Sequence, residues 1–107
     1  MEQGKSYREL LLDPRWQRRR LEVLNRAKWT CEKCRATDRT LHVHHRIYHR
    51  NHAPWEYTDA ELQVLCWVCH EEMGDWRQRI DVALCRLDWL YFESVAYYIE
   101  DLVSRQL

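Results

Sequence analysis

Four cysteines in two Cys-x-x-Cys pairs are the residues of this chain with the clearest chemistry. Two residues between paired cysteines let both sulfurs reach one ion from a tight turn, and two pairs complete a tetrahedral zinc site. The gap between the pairs is 31 residues, more than the ~15–20 of a simple zinc ribbon. A redox dithiol explains one pair but not two. The spacing therefore predicts a structural Zn²⁺, with a hairpin inserted between the pairs, held by Cys31, Cys34, Cys66 and Cys69.

Histidine is concentrated inside the inserted segment. Five of the six histidines fall between positions 42 and 52, and the sixth, His70, directly follows Cys69. Neutral imidazole is a ligand for Zn, Ni, Mn or Fe and, near pH 7, a competent general base. A zinc ion that fixes Cys69 also fixes His70, which can then project toward the hairpin. The cluster predicts either a second, exchangeable ion with hydrolytic chemistry or an ion bound by His42 and His44 without chemistry.

The elements that position these side chains follow from helix-start signals and periodicity. Asp13 before Pro14 is a capping residue followed by proline at the first helical position, and it predicts a basic helix over 13–28. β-branched and aromatic residues predict a strand over 41–48. The short apolar segment 62–66 is expected to be a strand that turns into a helix near the second cysteine pair.

The last third of the chain, residues 75–107, contains neither proline nor glycine and repeats apolar residues at steps near three and four. This pattern predicts one long helix, or two helices with a break near Ser94. Its wide apolar face has two interpretations, packing against the N-terminal helix or forming a homodimer or partner surface. Cys85, among apolar neighbours in this segment, is predicted to be a small buried side chain.

The composition fits one small domain over 1–107 with an uneven distribution of charge. The chain has 17 basic and 17 acidic side chains, but residues 1–53 hold 13 basic and 6 acidic ones, and residues 54–107 hold 4 and 11. One half could therefore meet a polyanion that the other repels. The hydrophobic share of 46% excludes disorder. No apolar run reaches the ~18 residues of a membrane span, and no signal peptide is evident, so a cytoplasmic protein without a membrane partner is expected.

The order of these segments resembles the HNH endonuclease family. The segment WQRRRLEVLNRAKWTCEKC ends in the first Cys-x-x-Cys pair. It is followed by LHVHHRIY, then PWEY, then ELQVLCWVCH. More narrowly, the chain is similar to small zinc-containing members whose hairpin is close to VHH-x-x-Y and whose helix opens with LC-x-x-CH. The similarity covers roughly 16–73, more than half of the chain. Residues 74–107 have no counterpart in it.

The resemblance implies an α+β fold with a ββα-metal (His-Me finger) core and a zinc knuckle over 31–73, flanked by an N-terminal helix and a long C-terminal helix. It implies hydrolysis of DNA phosphodiester bonds, by nicking or double-strand cleavage. By position, His44 and His70 would hold one divalent ion (Mn²⁺, Ni²⁺, Co²⁺, Mg²⁺ or Zn²⁺), and His45 would be the general base. Glu61 stands where the family has asparagine, so it is a candidate catalytic residue. It also fits a capping box with Thr58, in which case segment 62–66 would begin a helix.

One geometric condition and two alternatives accompany this assignment. On a regular strand His44 and His45 point to opposite faces, so the strand must end, kink or bulge there. The alternatives are an inactive zinc-stabilised DNA-binding module and an interaction protein acting through its C-terminal helix. Because no feature contacts base edges, the sequence preference on DNA is expected to be weak. The predicted contacts to the DNA backbone come from the charge run 18–20 and the histidine cluster, at Arg18, Arg19, Arg46 and Arg50.

Overall fold

The computed structural model describes residues 4–106 and has an α+β architecture, as predicted. Within these residues, two antiparallel strands and four α-helices follow one another in the order α1 (Tyr7–Leu10), α2 (Pro14–Arg26), β1 (Leu41–His45), β2 (Leu62–Cys66), α3 (Trp67–Arg86) and α4 (Phe92–Arg105). The chain divides into two compact units, one ending at Met73 and the other beginning at Gly74.

Helix α2 begins where the capping signal predicts. The side chain of Asp13 accepts a hydrogen bond from the Arg15 backbone N–H at 2.8 Å, and Pro14 occupies the first turn. The helix ends at Arg26, and Lys28 then adopts a left-handed conformation with φ of 55°. The buried face of α2 carries Trp16, Val23 and Leu24.

Strand β2 is buried on both faces, which explains its nearly continuous apolar sequence. Leu62 and Val64 pack with α2, whereas Leu65 packs with the cysteines. Strand β1 pairs with it in a register that runs from Leu41 opposite Cys66 to His45 opposite Leu62. The segment 62–66 is therefore the predicted strand.

The predicted strand over 41–48 is too long, because β1 ends at His45. The Arg46 N–H donates to the Glu61 carbonyl at 2.8 Å, and the chain then enters the loop. The Thr58–Glu61 capping box forms, but it caps a single 3₁₀ turn over Asp59–Glu61. The alternative in which segment 62–66 begins a helix is therefore wrong.

The first cysteine knuckle, residues 31–34, is joined to β2 by Glu32. Its N–H donates to the Val64 carbonyl at 2.8 Å, and its carboxylate accepts the Val64 N–H at 2.9 Å. The same carboxylate pairs with Arg26 of α2 at 3.0 Å. Glu32 thus occupies backbone groups of β2 that β1 does not use, and it holds the knuckle against the sheet independently of any metal.

Helix α3 begins at Trp67, directly after β2, as expected for a helix near the second cysteine pair, and it continues to Arg86. The C-terminal segment differs from its prediction in two ways. The break lies at 87–91 rather than near Ser94, because the Asp88 side chain accepts the Leu90 N–H at 2.9 Å and caps a 3₁₀ turn. Cys85 is exposed rather than buried, because no described residue from Gly74 onward is buried.

Candidate metal centre and histidine cavity

The four predicted cysteines come together in space. Their sulfur atoms all lie within 4.8 Å of one another, and the Sγ atoms of Cys34 and Cys66 are 3.7 Å apart. Tetrahedral coordination with Zn–S bonds of about 2.3 Å requires sulfur separations of ~3.8 Å, so the donor set fits zinc. Cys31, Cys66 and Cys69 are buried, whereas Cys34 is exposed. Among residues 4–106, this is the only such group of three or more potential metal donors.

Hydrogen bonds to the sulfur atoms prepare the cluster for negative charge. The Cys69 N–H donates to the Cys66 sulfur at 3.5 Å, and the Arg39 guanidinium reaches the same sulfur at 3.8 Å. These donors lower the pKa of Cys66, whereas burial and the neighbouring sulfurs raise the pKa of Cys69. The thiols therefore compete for ionisation when no cation is present. A zinc ion would remove this competition and release the protons.

His70 is placed by the same elements as the zinc site. It follows buried Cys69 on α3, and its ring centre lies 5.1 Å from that of His42 and 5.3 Å from that of His44. His42 and His44 share one face of β1, as the strand period requires. Two imidazoles bound to one ion at ~2.1 Å have ring centres roughly 5 Å apart. The structure thus brings the predicted pair, His44 and His70, into contact, and it adds His42.

His45 lies on the other side of β1 and is buried, with 6% of its surface exposed. Its ring packs among aromatic rings, with centres 4.9 Å from Trp16 and Tyr57 and 5.3 Å from Tyr48. Its Nε2 lies 3.0 Å from the Pro54 carbonyl oxygen. Because a carbonyl only accepts, Nε2 carries the proton and Nδ1 is left as the basic nitrogen. Burial lowers the His45 pKa, and the Pro54 hydrogen bond offsets part of this effect.

His45 and His70 line one cavity of about 250 Å³. Among residues 4–106, its wall also contains Arg20 and no carboxylate, so the formal charge that these residues supply is positive. The position of Arg20 follows from helix geometry, since it lies one turn after buried Trp16 on α2; this i, i+4 relation is the signal that sequence reasoning did not use. The complete lining is Tyr7, Leu11, Trp16, Arg20, His42, Val43, His45, Tyr48 and His70.

The electrostatics of this wall favour neutral rings and anionic ligands. Burial lowers the pKa of His42, and His70 and Arg20 lower it further. Burial likewise raises the pKa of Tyr7 and of Tyr48. His42, Tyr7 and Tyr48 are therefore held uncharged, and no acid among residues 4–106 lies in the wall to balance the cationic Arg20.

The four arginines that the sequence predicts as contacts to the DNA backbone lie outside the histidine cavity. Arg19 donates to the Asp59 carboxylate at 2.7 Å and to the Tyr57 carbonyl at 2.9 Å, so it ties α2 to the loop before β2. Arg46 lines a separate cavity of about 290 Å³ that also contains Asp59. Arg18 and Arg50 are exposed. The charge of Arg19 is thus already paired, whereas Arg20 next to it faces the histidines.

The Glu61 carboxylate forms its hydrogen bonds within the loop between β1 and β2. One carboxylate oxygen accepts hydrogen bonds from the Thr58 N–H at 2.9 Å and the Thr58 hydroxyl at 3.1 Å, and the other meets the His49 ring. The hydrogen bond from His49 is the main reason that the Glu61 pKa is lowered to about 2. Glu61 does not line the histidine cavity. Its surroundings are those of the capping residue that the sequence offered as the alternative.

Comparison of the chain with protein-family models, with curated proteins and with solved structures finds no match. The resemblance to HNH endonucleases therefore remains a prediction based on the residues quoted for it. Within residues 4–106, no helix is both long enough and apolar enough to cross a lipid bilayer.

Proposed function

We propose that this protein is a metal-dependent endonuclease of HNH type that hydrolyses phosphodiester bonds in DNA, by nicking or double-strand cleavage. The observation that carries the proposal is the cavity shared by His45, His70, His42 and Arg20, with His44 beside His70 but outside the cavity lining. Phosphodiester hydrolysis needs an activated water, a clamp on a nonbridging oxygen and relief of charge at the leaving oxygen. The chain order β1, β2, α3 around these histidines supports a ββα-metal core.

His45 is the proposed general base. Its hydrogen bond to Pro54 holds the proton on Nε2, so Nδ1 can accept a proton from a water molecule. Its lowered pKa keeps the ring neutral near pH 7. A positioned base of this kind accelerates hydrolysis by ~10²–10⁴.

His44 and His70, with His42 beside them, are the proposed ligands of one divalent ion. When bound, such an ion supplies the clamp on the phosphate and the charge relief at the leaving oxygen. Neutral imidazoles favour Mn²⁺, Co²⁺, Ni²⁺ or Zn²⁺ over Mg²⁺ in affinity. The zinc at the four cysteines has a structural role, since four protein sulfurs leave no open position for a substrate.

Arg20 is the proposed contact to the substrate phosphate inside the cavity. A phosphate entering there meets a guanidinium and no carboxylate, and arginine suits phosphate because it donates two parallel hydrogen bonds. Arg18 and Arg50, which are exposed, would extend the contact along the DNA backbone. Glu61 would act on catalysis only by holding the loop that carries the Pro54 carbonyl.

A plasmid nicking assay tests the proposal. Protein that keeps its structural zinc is freed of weakly bound metal and supplied with Mn²⁺ or Ni²⁺. We expect His45→Ala to nick at least ~10²-fold more slowly than the wild type, with unchanged zinc content and DNA affinity. Arg20→Ala should raise KM more than it lowers kcat. His52→Ala is the matched control, because His52 does not line the cavity.

The outcomes separate the alternatives. Equal nicking by the wild type and His45→Ala would reject His45 as the base. Absence of nicking with every metal, together with retained DNA binding, would favour the inactive zinc-stabilised module. The burial of His45 is the observation that favours that second candidate.

A further inference from the structure

The tail, defined here as residues 74–106, has many apolar side chains but no buried residue. Only Leu84, Leu87 and Val95 are half-buried among its large aliphatic residues. Trp89 and Leu90, in the turn between α3 and α4, are 85% and 83% exposed. The large apolar side chains exposed in the tail are Trp76, Ile80, Val82, Trp89, Leu90, Tyr91, Phe92, Tyr97, Tyr98, Ile99, Leu102 and Val103.

The exposed side chains are ordered into stripes rather than scattered. On α4, apolar residues recur at steps of three and four and form one face, made of Phe92, Val95, Ile99 and Leu102. The opposite face carries Glu93, Tyr97, Glu100, Asp101 and Ser104. The second half of α3 has a similar stripe at Trp76, Ile80, Ala83 and Leu84, and Leu87 continues it just after the helix ends. Such stripes are typical of helices that pack against another element.

The 14-residue length of α4 strengthens this inference. Isolated helices shorter than ~12–15 residues are marginal in water, and protein helices gain most of their stability by packing an apolar face. Within the tail, α3 and α4 are not a closely packed helix pair. Both stripes therefore require a covering surface from elsewhere.

The available area matches what a stable dimer needs. At roughly 100 Å² of exposed surface per large apolar side chain, covering the five exposed stripe residues together with Trp89, Leu90 and Tyr91 in the turn between the helices buries ~800 Å² per copy. A standard protein–protein interface buries ~800 Å² on each partner. The largest apolar patch on an ordinary monomer is only ~300–600 Å².

The charges favour a second copy over a polyanion or an anionic membrane. The α3 part of the tail, residues 74–86, carries three arginines and two aspartates, whereas residues 87–107 carry four acidic residues and one arginine. In a two-fold contact, residues 74–86 of one copy, with a net charge of +1 (3 − 2), can face residues 87–107 of the other, with a net charge of −3 (1 − 4). An anionic surface would instead meet the acidic helix.

We propose that the tail is a homodimerisation surface on which the apolar stripes of α3 and α4 pack against the same stripes of a second copy. The contact is isologous, so each stripe residue is buried twice in the dimer. This proposal is independent of the nuclease proposal, since no tail residue lines the histidine cavity.

Equilibrium sedimentation of the full zinc-loaded chain tests the proposal, under reducing conditions and in a Cys85→Ser background that excludes a disulfide-linked dimer. We expect a reversible dimer at micromolar concentration. Ile99→Asp should weaken dimerisation by about 10²- to 10³-fold, because the buried carboxylate enters the contact twice. Tyr97→Asp is the matched control on the opposite face of α4 and should leave the dimer unchanged.

Three results would overturn the proposal. They are a wild-type monomer at 100-fold higher protein concentration, a dimer that Ile99→Asp does not weaken, and equal weakening by both substitutions. Helical circular dichroism and zinc content, measured on each variant, distinguish loss of the interface from loss of the fold. A variant monomer that keeps both signals identifies the α4 stripe as the contact.

Discussion

The second unit of this chain is richer in apolar residues than the first, with 19 in residues 74–107 against 30 in residues 1–73, yet the two units bury them very differently. Up to Met73, side chains from α2, β2 and the knuckle are fully buried together around Leu24, Val64 and Cys66. From Gly74 onward, no described residue is buried. Apolar content therefore specifies how much surface must be covered, and the arrangement of elements decides whether one chain can cover it.

The first unit can cover its own surface because its elements enclose one another. Strand β2 has α2 on one face and the cysteine cluster on the other. The tail has only two helices, each with an apolar stripe. A domain of this size gains part of its stability from cross-links such as metal ions, and the cross-link here lies entirely in the first unit. Three predictions test this contrast.

Removal of zinc should have the largest effect. Structural zinc contributes roughly 10–16 kcal/mol in small zinc domains, which is comparable to the whole stability of an ordinary domain, about 5–15 kcal/mol. We expect strong chelation or Cys66→Ser to abolish the amide dispersion of β1 and β2 in NMR spectra. Cys85→Ser should leave zinc content and dispersion unchanged, because Cys85 lies outside the cluster. A metal-free chain that keeps the strand signals would contradict this prediction.

Truncation of one leucine in each unit should have the second-largest effect, and the loss of stability should differ between the two units. Leu24 is 1% exposed and Leu90 is 83% exposed. We expect Leu24→Ala to lower the free energy of unfolding by about 2–5 kcal/mol because it leaves a cavity. Leu90→Ala should change it by less than about 0.5 kcal/mol in dilute, monomeric protein. Urea unfolding of both variants measures the difference, and equal losses would show that the tail has a core of its own.

The smallest effect concerns the loop that Glu61 holds. Because the Glu61 pKa falls from its ordinary 4.5 to about 2 on folding, its ionised form stabilises the fold above pH 4.5. This contribution is lost as the pH falls from about 4.5 to 2. We expect the stability difference between the wild type and Glu61→Gln to shrink over that interval. Urea midpoints measured at each pH check this, with Glu100→Gln on α4 as a control. A constant difference would disprove the linkage.

Sequence reasoning succeeded where the signal is local. The start of α2 follows from Asp13 and Pro14, and the cysteine cluster follows from two short spacings. Segment 62–66 was correctly expected to be a strand leading into a helix, because the apolar run and the cysteine pair are adjacent. Each of these features depends on residues within a few positions of one another.

The remaining features depend on contacts between distant segments. The role of Arg20 in the cavity wall requires α2 to lie beside β1, which the i, i+4 spacing from Trp16 does not establish by itself. The end of β1 depends on where its partner strand begins, since His45 pairs with Leu62, the first residue of β2. The break before α4 depends on the single cap at Asp88, whereas the apolar period continues through it and conceals it.

Glu32 has one more consequence for the two-stranded sheet. Through its own N–H and its carboxylate it satisfies both polar groups of Val64, as one residue of a third strand would. Unpaired strand edges are templates on which foreign extended chains add and aggregation begins. In the two-stranded sheet of residues 4–106, the knuckle therefore occupies the edge of β2 at Val64, so that an extended segment of another chain cannot pair there.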